Sequence, residues 1–204
     1  MKPISYLALG DSYTIGEGVE EEERFPEQLA LGLSDQGFDV QTQIIARTGW
    51  TTDELWQGIE SNELTPPYDL VTLLIGVNNQ YRGRDVDEYR LEFEYLLDKA
   101  ISLTSGDPST VVVLSIPDWG VTPFARGAAV STAQVATQID EYNEVNRKVT
   151  EEKGASYIDV TGISRQAAGD RSLLAKDGLH PSAKMYALWV ELILPSALSA
   201  LDIR

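Results

Sequence analysis

Five short runs of aliphatic and β-branched residues recur along the chain: Ile4–Leu9, Val40–Ala46, Leu70–Ile75, Val111–Ile116 and Ser156–Val160. They lack strict apolar–polar alternation, so they predict strands covered on both faces, as in a parallel sheet. Helix-spaced segments lie between them. Phe25, Leu29 and Leu33 mark the first, and Leu55 and Ile59 the second. Asp85 and Glu88 have capping-box spacing ahead of a third, with Leu91, Tyr95, Leu96 and Ala100 expected on one face. Ser131 and Gln134 open a fourth, whose stripe is Val135, Ile139, Tyr142, Val145 and Val149 and whose stop is Gly154. A last helix is expected from about Ala183 to Ala200, bent or interrupted at Pro195.

This alternation predicts an α/β fold, a three-layer α/β/α sandwich around a five-stranded, mostly parallel sheet. The 204 residues suit one domain spanning 1–204, with no internal repeat or linker. Right-handed crossovers bring the strand C-termini to one edge, where such sheets bind ligands. Three loops share that edge: Gly10-Asp11-Ser12, Arg47-Thr48-Gly49-Trp50 and Gly76-Val77-Asn78-Asn79.

Composition removes several functions. A net charge of −16 disfavours nucleic acid and anionic lipid as partners. With no cysteine there is no disulfide, thiolate metal site or Cys nucleophile, and one histidine leaves only carboxylates to hold a metal. No metal or other cofactor is expected. The N-terminal apolar run is too short for a signal segment, and the later ones, Tyr186–Leu194 included, are too short or interrupted to span a bilayer. A cytoplasmic protein without stable membrane insertion is expected.

Imidazole chemistry has one place to go, His180 in Asp177-Gly178-Leu179-His180-Pro181. Ser12, just past the first strand, is a candidate nucleophile needing a base within hydrogen-bond reach. Serine also caps helices, and that reading stands beside it. His180 would be the base and Asp177, three residues earlier, would fix its tautomer. Asn78 offers a side-chain amide, and Gly49 and Ser12 offer backbone N–H groups, to a developing oxyanion. The Gly-x-Ser-x-Gly elbow is absent, since Thr14 occupies its second glycine position. Glycines 10, 16 and 18 lack the pattern of a phosphate loop.

The ordered blocks Gly10-Asp11-Ser12, Gly49, Gly76-Val77-Asn78 and Asp177-Gly178-Leu179-His180 resemble the SGNH hydrolases, also called GDSL esterases/lipases. The resemblance implies a flavodoxin-like fold, Ser12, His180 and Asp177 as catalytic triad, and Ser12, Gly49 and Asn78 as oxyanion donors. It implies a cofactor-independent serine esterase acting through an acyl-enzyme on short acyl, acetyl-sugar or lysophospholipid-type esters. Two alternatives keep the fold: an acyltransferase using the same site, and a non-catalytic carbohydrate- or partner-binding domain. The third block commonly reads Gly-x-Asn-Asp, and here Asn79 replaces that Asp. Trp50, Asn79 and Tyr81 are the candidate substrate-binding residues, with Trp119 and Phe124 nearby; core or loop-anchoring roles are the alternative. Arg82 and Arg84 are expected to be solvated, with contact to an anionic substrate as the alternative.

Overall fold

The computed structural model describes residues 1–202. β1 (Lys2–Gly10) leads through the single turn α1 (Ser12–Ile15) to α2 (Phe25–Asp35), β2 (Phe38–Ala46), α3 (Thr52–Ser61) and β3 (Leu70–Leu74). Then follow α4 (Val77–Tyr81), α5 (Val86–Leu103), β4 (Val111–Leu114), α6 (Thr132–Lys153), β5 (Ser156–Ile158), α7 (Thr161–Arg165) and α8 (Ala183–Asp202). All five strands are parallel, in the order β2-β1-β3-β4-β5. This is the flavodoxin-like order, whose switch point lies between β1 and β3.

The expected two-sided burial holds in the middle of the sheet. Every residue of β3 and β4 is buried, and β1 is buried from Tyr6 onward. The edge strands β2 and β5 are only partly covered, because no neighbour shields their outer sides. Inside the sheet, Tyr6 Oη and Thr72 Oγ1 satisfy each other at 2.9 Å.

The helices form the two outer layers, α2 against α8 and α5 between α3 and α6. Phe25 on α2 meets Tyr186 and Trp189 on α8, with ring centroids 6.2 Å apart in each pair. Each such side chain contributes about 1.5–3 kcal/mol through burial. Asp85 caps α5 through the N–H groups of Asp87 and Glu88, Ser131 caps α6 through Gln134, and Gly154 ends α6 in the left-handed conformation.

Three expectations need correction. On α5 the buried stripe is Tyr89, Phe93, Leu96, Leu97, Ala100 and Leu103, a three-four spacing that leaves Leu91 and Tyr95 on the exposed flank. Tyr95 packs instead on Trp56 of α3, with centroids 4.3 Å apart. Second, α8 runs uninterrupted through Pro195, anchored by buried Ile193 and Ala197 on either side. Third, because the helix continues past the proline, Ala183–Leu201 is by length and composition long and apolar enough to cross a membrane (mean hydropathy 1.2). In the fold its Met185, Tyr186, Trp189 and Ile193 are buried.

Candidate active site

The sheet positions the site through the loops that leave β1, β2 and β3. β1 ends at Gly10, where a Cβ would lie 2.1 Å from Thr14 Oγ1 and 2.4 Å from the Leu74 carbonyl oxygen. Only glycine lets the chain turn there so close to β3. Asp11 then caps α1, its Oδ1 accepting the Tyr13 N–H at 3.0 Å. With Asp11 in the capping role, the Ser12 hydroxyl is not consumed by it. Among the described residues Ser12 Oγ makes no hydrogen bond, and Ser12 lines a cleft at the switch point between β1 and β3.

Another part of the lining comes from the other end of the chain. His180 lines the same cleft, and its Nδ1 lies 2.6 Å from Asp177 Oδ2. Asp177 Oδ1 also accepts the backbone N–H groups of Leu179 (2.9 Å) and His180 (3.0 Å). Partial burial works against the Asp177 carboxylate, but the bonds from the His180 ring and these two amides outweigh it and hold its pKa below the ordinary value. The Tyr13 and His180 rings pack edge to face, with centroids 5.7 Å apart. No hydrogen bond joins Ser12 to His180 among the described residues, and both line the cleft.

Loops after β2 and β3 supply the floor. Gly49 has φ +87°, a conformation that favours glycine. Among the described residues, neither its N–H nor that of Ser12 is taken up outside the helices and strands. Its carbonyl accepts from Arg82 Nη2 at 2.7 Å, and Asn78 Nδ2 donates to the Trp50 carbonyl at 2.8 Å. The two loops are therefore tied to each other across the cleft. Asn78 keeps a second amide hydrogen for another acceptor.

The cleft has a volume of about 170 Å³. Its lining is mixed: Val77, Tyr81, Trp119, Phe124 and Leu179 are apolar or aromatic, and Ser12, Thr48, Gly49, Asn78 and His180 offer polar groups. Tyr81, Trp119 and Phe124 pack on one another with centroids 5.3–6.2 Å apart. The buried Trp119 indole N–H donates to Gln80 Oε1 at 2.8 Å, and Gln80 in turn donates to Gln138 on α6.

Two candidate substrate-binding residues stand outside this cleft. Trp50 packs on α3, where a Cβ on Gly58 would sit 2.3 Å from its ring. Asn79 is fully buried against Thr52 and serves the loop rather than a ligand. The two arginines are not simply solvated. Arg82 pairs with Glu54 at 3.3 Å, and Arg84 with Asp53 at 2.6 Å. Thr48, Tyr13, Val77 and Leu179 line the cleft without having been singled out in the sequence; each is a direct neighbour of a residue that was.

One buried group behind Ser12 has no counterpart in the sequence reading. Asp11 is wholly buried, its Oδ2 has no hydrogen-bond partner among the described residues, and burial pushes its pKa up to about 7. Among the described residues no group of three or more His, Asp or Glu side chains is placed to hold a metal.

The chain belongs to the GDSL-like lipase/acylhydrolase family, whose model matches residues 8–188, and is accordingly an ester-bond hydrolase. A search of curated proteins found no match. Among solved structures it is similar to TesA (19% identity, 97% of this chain and 99% of that one, TM-score 0.71). It is also similar to the psychrotrophic esterase EstA from Pseudoalteromonas sp., in a form inhibited by monoethylphosphonate (18%, 97% and 98%, TM-score 0.69). A third is the lipase/acylhydrolase from Enterococcus faecalis (23%, 96% and 94%, TM-score 0.69). At these identities the likeness is one of fold.

Proposed function

We propose that the chain is a serine esterase that works through an acyl-enzyme on uncharged esters with an apolar acyl group. Ser12 attacks the ester carbonyl while His180 takes its proton through Nε2, the nitrogen Asp177 leaves free. The N–H groups of Ser12 and Gly49 and the second hydrogen of Asn78 receive the oxyanion. Collapse of the tetrahedral intermediate expels the alcohol, protonated by His180. Water, deprotonated by the same imidazole, then releases the acid and restores Ser12.

The observation that carries this reading is the 2.6 Å His180–Asp177 bond in the same cleft as the uncapped Ser12. The apolar wall of Tyr81, Trp119 and Phe124 supports an acyl group as its occupant, and the net charge of −16 disfavours anionic substrates. An inhibited form of EstA carries monoethylphosphonate, so a fluorophosphonate is the natural probe. Intact-mass and peptide mapping are expected to find one adduct, on Ser12, absent from Ser12→Ala. Labelling that persists in the variant overturns the assignment.

A further inference from the structure

Asn79 stands where the family pattern has an Asp, and its surroundings give a reason. It is fully buried, with Oδ1 accepting the Thr52 N–H at 3.1 Å at the start of α3. Its Nδ2 donates to Thr52 Oγ1 at 2.6 Å and reaches Glu92 Oε2 on α5 at 3.5 Å. The single hydroxyl proton of Thr52 is directed at the same Glu92 oxygen. Thr52 Oγ1 therefore has no proton to offer residue 79, and the side chain there must be a donor on that side. An amide provides one acceptor and one donor in the required places. An ionised carboxylate provides only acceptors and would stand against Glu92.

We propose that Asn79 and Glu92 are a matched pair that positions the oxyanion loop, with the uncharged amide at position 79 required by the carboxylate of Glu92 beside it. This rests on the reading of Asn78 as an oxyanion donor. Asn78 is the adjacent residue and donates to the Trp50 carbonyl, two residues ahead of Thr52, so the 78–79 pair holds α4, the Gly49 loop and the start of α3 as one unit. Displacing that unit moves both Gly49 N–H and Asn78 Nδ2. Losses from such small displacements can reach about a hundredfold in rate. Asn79 is thus a positioning residue acting through its neighbours.

The other charged groups on the packed elements do not relieve an added negative charge. Arg84 reaches Glu92 at 3.7 Å but binds Asp53 more closely, at 2.6 Å. Glu54 is engaged by Thr51 and by Arg82. An Asp at position 79 fits only when protonated, because only then does it carry the missing donor. Burial and the neighbouring Glu92 both favour that proton, which leaves as pH rises.

The test is steady-state hydrolysis of a p-nitrophenyl ester by the full chain carrying N79D, E92Q or both, from about pH 6 to about pH 9. The ratio of N79D kcat to parental kcat is expected to fall with rising pH, to about one tenth at the alkaline end, with KM within about twofold. Any group that ionises alike in both proteins cancels in the ratio. In the double variant a Gln in place of Glu92 can turn an N–H toward the new carboxylate, so the ratio to E92Q alone is expected to be near one and flat. A pH-independent ratio for N79D, or a double variant as impaired as N79D, overturns the proposal. If N79D does not fold, the double variant still decides, since it must then accumulate folded and active. Failure of the esterase reading is seen separately, as a parental chain that turns over no activated ester or a fluorophosphonate label that persists in Ser12→Ala.

Discussion

Asp177 holds His180 at two points, Oδ2 to the ring Nδ1 at 2.6 Å and Oδ1 to the residue's own backbone N–H at 3.0 Å. One carboxylate thus fixes both the ring's rotation and the turn that carries it, leaving Nε2 as the free nitrogen. Asp177→Asn keeps an amide oxygen for the backbone donors but cannot stabilise an imidazolium. It is expected to lower kcat about 10³–10⁴-fold with a far smaller change in Tm. Parental kcat in the Asp177→Asn protein would remove Asp177 from the mechanism.

The amide of Asn78 is half-engaged, with one hydrogen on the Trp50 carbonyl. If the other meets the oxyanion, Asn78→Ala should reduce kcat about 10²–10³-fold and leave KM within a few-fold, since that bond strengthens only as charge develops. A rise in KM at constant kcat would instead make Asn78 a ground-state contact. Kinetics on a single activated ester separates the two.

Strand positions were legible because β1, β3 and β4 are buried on both faces and leave uninterrupted aliphatic runs; every predicted strand limit falls within two residues of the observed one. The loops at the switch point followed from topology, whereas His180, which follows no strand end, was joined to Ser12 by its chemistry and by the resemblance to SGNH hydrolases; both line one cleft. Side-chain direction in those loops did not follow. Trp50 and Asn79 sit beside cleft residues in sequence but turn toward α3, a choice made by Gly58 and Thr52, which lie in another element. The face of α5 was misplaced for a related reason: Leu91 and Tyr95 are apolar enough to read as core, while only the sheet decides which row it covers. Asp11 read as part of a motif, and nothing in the chain's local pattern announces that its second oxygen is buried without a partner.

Trp119 is fixed from behind by Gln80, whereas Phe124 is 45% exposed at the rim. An acyl chain leaving the oxyanion site along the apolar wall should meet both. Phe124→Ala is expected to lower kcat/KM for longer-chain p-nitrophenyl esters by about tenfold relative to the acetate, whose acyl group is too short to reach the rim. A uniform loss across chain lengths would place the acyl group elsewhere. Trp119→Phe strands the buried Gln80 oxygen and should also reduce stability, by about 1–3 kcal/mol.

Asp11 makes stability depend on pH in an unusual direction. Its folded pKa, raised by burial from the ordinary 3.8 to about 7, means the folded chain holds this proton where the unfolded chain releases it. Its contribution to stability is therefore complete below about pH 4 and is lost progressively as pH rises to about 7, after which the loss is constant. Each unit of displacement corresponds to about 1.4 kcal/mol, so the swing is a few kcal/mol. Asp11→Asn mimics the protonated carboxyl and keeps an oxygen for the Tyr13 N–H. It should match the parent in urea unfolding near pH 4 and exceed it near pH 8. A gap between the two proteins that stays constant over this range would show that the carboxyl behind Ser12 is already ionised in acid, contrary to what its unpartnered oxygen implies.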